Sequence, residues 1–256
     1  MVKGFIVMIT TSLVLLLATN AEAITNGRPD GTNHPYAGMV FDVASDGSVA
    51  ACSGVLVSPR VFLTAGHCTE TFLSPPPSYH VSVTFASDAT ALVAQATGTP
   101  HTYPGFCPGC GGAWGRTLGD LGVVVLDAPV QMSQYGRLPS AGADEAVVGA
   151  TVTVVGYGMR SGSAGCSFYR CLPGDFGVRT MTTGVAVDAG SLGDSFIKIN
   201  AAGNACFGDS GGPMLAGDGP TVLGLDAYVT DWSCKGLSFG TRIDNAPMLS
   251  WIRSWM

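Results

Sequence analysis

The chain has 256 residues, of which 12% are charged, and its 12 Lys and Arg against 18 Asp and Glu give a formal charge of −6. An acidic chain with no basic run is a poor match for nucleic acid, and that class of partner is set aside. Charged residues are about half the ~25% usual in soluble proteins, and the 36 glycines are about twice the usual ~7% share, which suits short strands joined by tight turns.

Residues 1–23 carry the marks of a secretory signal peptide. Lys3 gives a positive start, Gly4 to Ala18 is apolar, and Ala21-Glu22-Ala23 is a small-x-small cleavage site. The apolar run, at about 15 residues, is shorter than the ~20 needed to span a bilayer. The expectation is a secreted, extracellular, monomeric chain that begins at Ile24 and keeps no membrane segment. Lys3 and Glu22 leave together, so the charge is unchanged. All 8 cysteines fall after residue 23. An even number suits an oxidising compartment, although eight cysteines leave 105 pairings open.

Strand-like runs then recur along the chain. Met39–Val43, Val55–Val57 and Val61–Leu63 come first, and the last leads into Thr64-Ala-Gly-His-Cys68. After Val81–Phe85 comes a Gly/Pro-rich loop with Cys107-Pro-Gly-Cys110. Leu121–Leu126 follows, opened by Asp120 and closed by Asp127, a turn residue before Pro129. Leu138-Pro139-Ser140 breaks the pattern near its middle. Thr151–Gly156, Val178–Thr182 and Phe196–Ile199 precede Cys206-Phe-Gly-Asp-Ser-Gly-Gly-Pro213. Thr221–Leu225 and Leu237–Ile243 complete the strands. No long stretch has a helical period before Pro247, after which Met248, Leu249 and Ile252 share one helix face. The pattern predicts an all-β fold with a short C-terminal helix.

The string around Ser210 is the most informative. A serine hydroxyl is a weak nucleophile until a base takes its proton, and the oxyanion it creates needs fixed donors. Glycines on both sides of Ser210 allow a tight turn and close approach to a substrate, so the amides of Gly208 and Ser210 are candidate oxyanion donors. His67, next to Cys68 and after an apolar run, is the candidate base. His34, His80 and His101 lack such neighbours and are read as surface or satisfied core residues. Asp120 places a charge at the edge of a buried strand, where it needs a partner, and is the candidate for orienting His67. The chain order is His, Asp, Ser. Esterases and lipases with Gly-x-Ser-x-Gly run Ser, acid, His, which argues against that class.

These strings, with Ile24-Thr-Asn-Gly27, Cys52-Ser-Gly-Val-Leu56, Gly156-Tyr-Gly158 and Leu249-Ser-Trp-Ile252, resemble the trypsin/chymotrypsin-type serine proteases over nearly all of residues 24–256. The resemblance implies two six-stranded antiparallel Greek-key barrels, about 24–138 and 139–245, then the helix at about 246–256. It implies an endopeptidase that uses the triad His67, Asp120 and Ser210 on protein or peptide substrates, with no metal or cofactor. A protease-fold binding protein that has lost its chemistry is the alternative, although such chains normally lack a triad member. The resemblance also pairs Cys52 with Cys68 and Cys206 with Cys234. Cys166–Cys171 and Cys107–Cys110 are read as local loop pairs, the second in preference to a redox motif or a zinc site with His101.

Two further expectations follow from the resemblance. A freed Ile24 ammonium pairs with Asp209 and orders the pocket, so signal-peptide removal itself would expose the activating terminus. The pocket would be lined by Asn204, Ala205, Val229 and Ser238. Relatives that cleave after Lys or Arg carry an acid where this chain has Asn204, so uncharged, apolar side chains are expected before the cut. Asp226 and Asp231 are other sources of charge, read as a strand-end acid and a loop acid.

Overall fold

A computed structural model describes residues 24–74, 79–111, 116–143, 148–159, 170–171, 176–188, 195–230 and 233–256. Residues 1–23, where a signal peptide is expected, and Cys166 and Asp231 lie outside the described residues. In chain order the elements are β1 (Arg28–Pro29), β2 (Ala37–Val43), β3 (Val49–Ser58), β4 (Val61–Thr64), α1 (Gly66–Leu73), β5 (Val81–Thr84), β6 (Ala96–Thr102), β7 (Cys107–Gly111), β8 (Arg116–Leu118) and β9 (Gly122–Leu126). They continue as β10 (Thr151–Gly156), β11 (Arg170–Cys171), β12 (Thr180–Val187), β13 (Phe196–Ala201), β14 (Pro213–Ala216), β15 (Val222–Val229), β16 (Ser238–Arg242) and α2 (Ala246–Arg253).

The strands close into two antiparallel barrels. In the first, the order β3-β2-β5-β6-β9-β4 is shut by pairing of β3 with β4. In the second, β12-β10-β14-β15-β16-β13 is shut by pairing of β12 with β13. Each ring has six strands, and each barrel lends a short strand to the other: β1 pairs with β12, and β11 with β3. β4 and β9 are runs of β-branched and aliphatic residues buried almost throughout, because barrel and seam cover opposite faces.

The three largest apolar groups fill the two barrels and the seam between them. Val40, Leu56, Phe62, Val83 and Val124 fill the first barrel, and Val152, Val154, Ile199, Met214 and Leu223 the second, where Ile24 joins them. The third group is the seam, where Val55, Leu63, Leu121 and Val123 meet Val155, Met181, Leu215 and Leu225, with Met248 and Ile252 of α2 packed on them. Asn245 caps α2 by accepting from the Met248 amide at 3.0 Å, and Pro247 occupies its first turn.

A buried polar clamp crosses the seam. Arg179, just before β12, donates to Asp30 at 2.8 Å and to the carbonyls of Gly31, Ala37 and Phe85. Asp30 also holds His34. Burial pushes the Asp30 pKa up, but the His34 hydrogen bond and the charges of His34 and Arg179 outweigh it and hold the carboxyl below its usual value.

The sequence reading missed α1, the barrel strands β6 and β14, and the short strands β1, β7, β8 and β11. Gly66 and five weak helix formers hide α1, and it is held by the Cys52–Cys68 disulfide and by burial of Cys68, Thr69 and Phe72. Gly98 and Pro100 disguise β6, which pairs with both β5 and β9. Among the described residues no helix is long and apolar enough to cross a membrane.

Candidate active site

β4 and β9 pair in register from Val61↔Val125 to Thr64↔Gly122. That pairing brings the segment that follows β4, with His67, beside the segment that precedes β9, with Asp120. His67, in the first turn of α1, donates its backbone N–H to Asp120 Oδ1 at 2.8 Å, and its Nδ1 meets Asp120 Oδ2 at 2.8 Å. Both carboxylate oxygens are used, so the ring is fixed in position and direction. Asp120 is 2% exposed. Burial alone lowers the His67 pKa, but the charge of Asp120 and its hydrogen bond raise it more, and the net shift is upward.

Ser210 precedes β14 and belongs to the second barrel, yet its main chain is tied to the first. Ser53 of β3 donates its amide to the Ser210 carbonyl at 2.9 Å and its hydroxyl to the Gly208 carbonyl at 2.8 Å. The same hydroxyl accepts from the Tyr157 amide at 2.9 Å. Gly211 has φ +81°, and a Cβ there would lie 2.3 Å from Thr64 Oγ1 and 2.5 Å from the Ala65 amide. Only glycine allows the serine turn to close on the β4–α1 junction that carries His67. Ser53 was not singled out in the sequence as a site residue, although it sits inside the Cys52-Ser-Gly-Val-Leu56 string. Gly208 has φ +92°. Among the described residues, the amides of Gly208 and Ser210 have no hydrogen-bond acceptor.

Asp209 points away from this cleft. It is fully buried, and its oxygens accept from the amides of Gly158 at 2.7 Å and Cys206 at 2.8 Å. A Cβ on Gly156 would lie 2.0 Å from Asp209 Oδ1, so that position has to be glycine for the carboxylate to fit. Burial pushes the Asp209 pKa up to about 7, against the pull of the two backbone hydrogen bonds. Ile24 is also fully buried, and Thr25 exchanges two backbone hydrogen bonds with Asn204, each 3.0 Å. The Thr25 hydroxyl donates to the Cys234 carbonyl at 2.8 Å. The Ile24–Thr25 segment is therefore stitched to the stretch that leads to Asp209. Ile24 has φ 51°, a left-handed conformation that is costly for a β-branched residue.

Of the residues expected to line the pocket, Asn204 and Ala205 belong to this stretch, and Val229 and Ser238 end β15 and open β16. The Ala205 amide donates to the Ser238 hydroxyl at 3.0 Å, and Ser238 pairs with Val229 across β15 and β16. Val229 packs against the group formed by Met159, Cys206 and Cys234. Disulfides join Cys206 to Cys234 and Cys107 to Cys110. Nothing is described of the Cys171 side chain. The other histidines have separate partners: His34 joins the clamp, His80 meets Asp127 at 3.2 Å, and His101 stacks on Trp255 at 4.3 Å. Asp226 corrects the strand-end reading, for it lies inside β15 and is 2% exposed.

Proteins in which two such barrels meet at a seam of this kind form the chymotrypsin-fold serine protease class, and this chain takes its place there. Over residues 24–252 the sequence matches the family profile described as Trypsin, and the chain belongs to that family. Similar solved structures include HL collagenase, 21% identical with a TM-score of 0.67, over 90% of this chain and 97% of the other. Human heparin binding protein is 18% identical with a TM-score of 0.65, over 90% and 96%. The scabies mite inactivated protease paralogue S-I1 is 16% identical with a TM-score of 0.64, over 89% and 97%. No curated protein matches the sequence. At these identities the likeness establishes the fold alone, and catalysis has to be argued from this chain's own residues.

Proposed function

We propose that the chain is a secreted serine endopeptidase that cleaves protein or peptide substrates through an acyl-enzyme. The observation that carries this reading is the two-point attachment of His67 to Asp120, set opposite a serine turn that is locked onto the same loop. Ser210 Oγ attacks the scissile carbonyl while His67 takes its proton. Asp120 keeps the imidazole in the right tautomer and stabilises the imidazolium. The oxyanion falls between the amides of Gly208 and Ser210. His67 then returns the proton to the leaving amine, and water releases the acyl group by the reverse path. This chemistry calls on no metal or cofactor, and nothing in it requires a second copy of the chain.

The activating step belongs to the same proposal. A cut before Ile24 removes the torsion that holds this residue in its costly conformation. It also creates an ammonium on a segment already paired with Asn204, on the stretch that leads to Asp209, whose buried carboxylate has no counter-charge among the described residues. Signal-peptide removal after Ala23 makes that cut, with no separate pro-segment.

A binding protein on this fold is the second reading, and human heparin binding protein is named for such a role. A formal charge of −6 works against a polyanion as ligand here. A fluorophosphonate reagent separates the two readings. The secreted protein is expected to be labelled at Ser210, and an unlabelled, folded protein would reject the endopeptidase.

The pH dependence is fixed by the same pair. The base must be neutral, and the His67 pKa lies above the usual 6.5. A plot of kcat/KM from about pH 4.5 to 9 should rise through a single transition centred above ~6.5 and be nearly lost at pH 5. A midpoint well below that value would contradict the His67–Asp120 assignment.

A further inference from the structure

Asp226 is buried in β15, and its Oδ1 has no hydrogen-bond partner among the described residues. Its own amide donates to the Gly212 carbonyl at 2.8 Å, and its carbonyl accepts from the Gly211 amide at 2.7 Å. The residue is therefore fixed beside the serine turn.

Its direction follows from strand register. Asp226 lies opposite Gly240, and directly opposed residues of an antiparallel pair project to the same face. Ser238 is two residues before Gly240 and shares that face. The Ser238 hydroxyl bonds the Ala205 amide, so this face looks onto the segment from Asn204 to Asp209. The carboxylate of Asp226 points to the same side. A register shift between Asp226 and Tyr228 turns Tyr228 to the opposite face, where it stacks on Phe239 at 4.7 Å. The Arg116 guanidinium covers that face, 4.4 Å from the Tyr228 ring, and is occupied there. Gly240 adds no side chain beside the carboxylate, for a Cβ there would lie 2.3 Å from Met214 Sδ.

Burial and the charges of Asp209 and Asp120 all push the Asp226 pKa up, well above the ordinary carboxylate value, and no positive group among the described residues offsets them. A buried acceptor left without a partner is costly, and a cation that enters with its own donors relieves it. A small metal ion needs several oxygen ligands, whereas one carboxylate with flanking hydroxyl and amide groups suits a long side chain with a terminal charge.

We propose that Asp226 is the specificity determinant of the pocket, and that it selects a lysine or arginine side chain on the residue before the scissile bond. The acid comes from β15, not from the position of Asn204 where basic-specific relatives carry theirs. Asn204 and Ser238 then supply neutral hydrogen bonds. The expectation of an uncharged side chain rested on Asn204 and on placing Asp226 at a strand end, and burial in mid-strand removes the second ground. The inference rests on the endopeptidase reading for its substrate, but its binding chemistry is testable apart from catalysis.

Two measurements test it. Peptide substrates that differ only in Arg, Lys, Leu or Phe before the cut are compared on the secreted protein and on Asp226→Asn. The Arg-to-Leu ratio of kcat/KM, which cancels the folded fraction, is expected to exceed one in the parent and to fall by about 30- to 1000-fold in the variant. Benzamidinium binding to Ser210→Ala, followed by calorimetry with and without Asp226→Asn, reads the pocket with chemistry removed. Binding that disappears with Asp226→Asn supports the pocket even if fluorophosphonate labelling fails and the endopeptidase reading falls. A labelled enzyme that prefers Leu or Phe, or benzamidinium binding that is absent or indifferent to Asp226→Asn, overturns the assignment and leaves the protease reading standing.

Discussion

Replacing Ser210 by alanine is expected to leave a folded protein that has lost about 10⁵- to 10⁶-fold in kcat against its best peptide substrate. The turn around residue 210 is held by main-chain contacts, from the Ser53 amide to the residue 210 carbonyl and from the packing of Gly211, and alanine keeps all of them. The hydroxyl alone is removed. His67→Ala should cost a similar factor, because the base and the nucleophile act as one unit. The double variant should then be little worse than either single one. Two independent contributions would multiply instead, and that outcome would break the assigned roles. A thermal melt within a few degrees of the parent confirms that chemistry and not folding was lost. A binding protein on this fold would show none of this, since neither side chain would limit its function.

The second large effect concerns the buried acid behind the serine. Asp209→Asn in the chain that begins at Ile24 is expected to lower activity by about 10²- to 10³-fold, because breaking a buried ion pair costs ~3–5 kcal/mol. The uncut chain should behave differently. Its Asp209 has a folded-state pKa of about 7 against an ordinary 3.8. The folded form therefore holds a proton that the unfolded form has released, and stability falls as pH rises between those two values. An ammonium at Ile24 removes the penalty by stabilising the carboxylate. Melting temperatures of the chain starting at Ile24 and of one extended by a few residues should thus diverge from pH 5 to pH 8, with the extended chain the weaker at the higher pH. Parallel curves would reject the pairing of Ile24 with Asp209. N-terminal sequencing of the active secreted protein gives the companion result, and a start other than Ile24 would rule out activation by signal-peptide removal.

Much of the site could be read from short strings because their chemistry is local. Glycines flank Ser210 since a serine turn needs a tight backbone, and an acid opens an apolar run since a buried charge needs a partner. The strand runs were equally visible wherever β-branched residues alternate or cluster, as in β9 and β10. α1 and β6 were not, because eight residues with a leading glycine, or a strand holding Gly98 and Pro100, carry too little propensity of their own. Their stability comes from a disulfide and from neighbours on both sides. Ser53 illustrates a different gap. Its hydroxyl serves Gly208 and Tyr157, more than a hundred residues away, and no local pattern announces that.

By itself the sequence determined the class of fold and the residue types fit for acyl transfer. The tertiary structure alone decided which charges are buried and what they face. Asp226 passes for a strand-end acid until a register shift in β15 and the covering second barrel place it beside the serine turn. Asp209 stands out in the sequence only through the family resemblance, and the walls of Gly156 and Gly158 are what bury it. Burial is a property of all the surrounding chain at once, and it sets whether a carboxylate is an indifferent surface group or one that must find a proton or a cation.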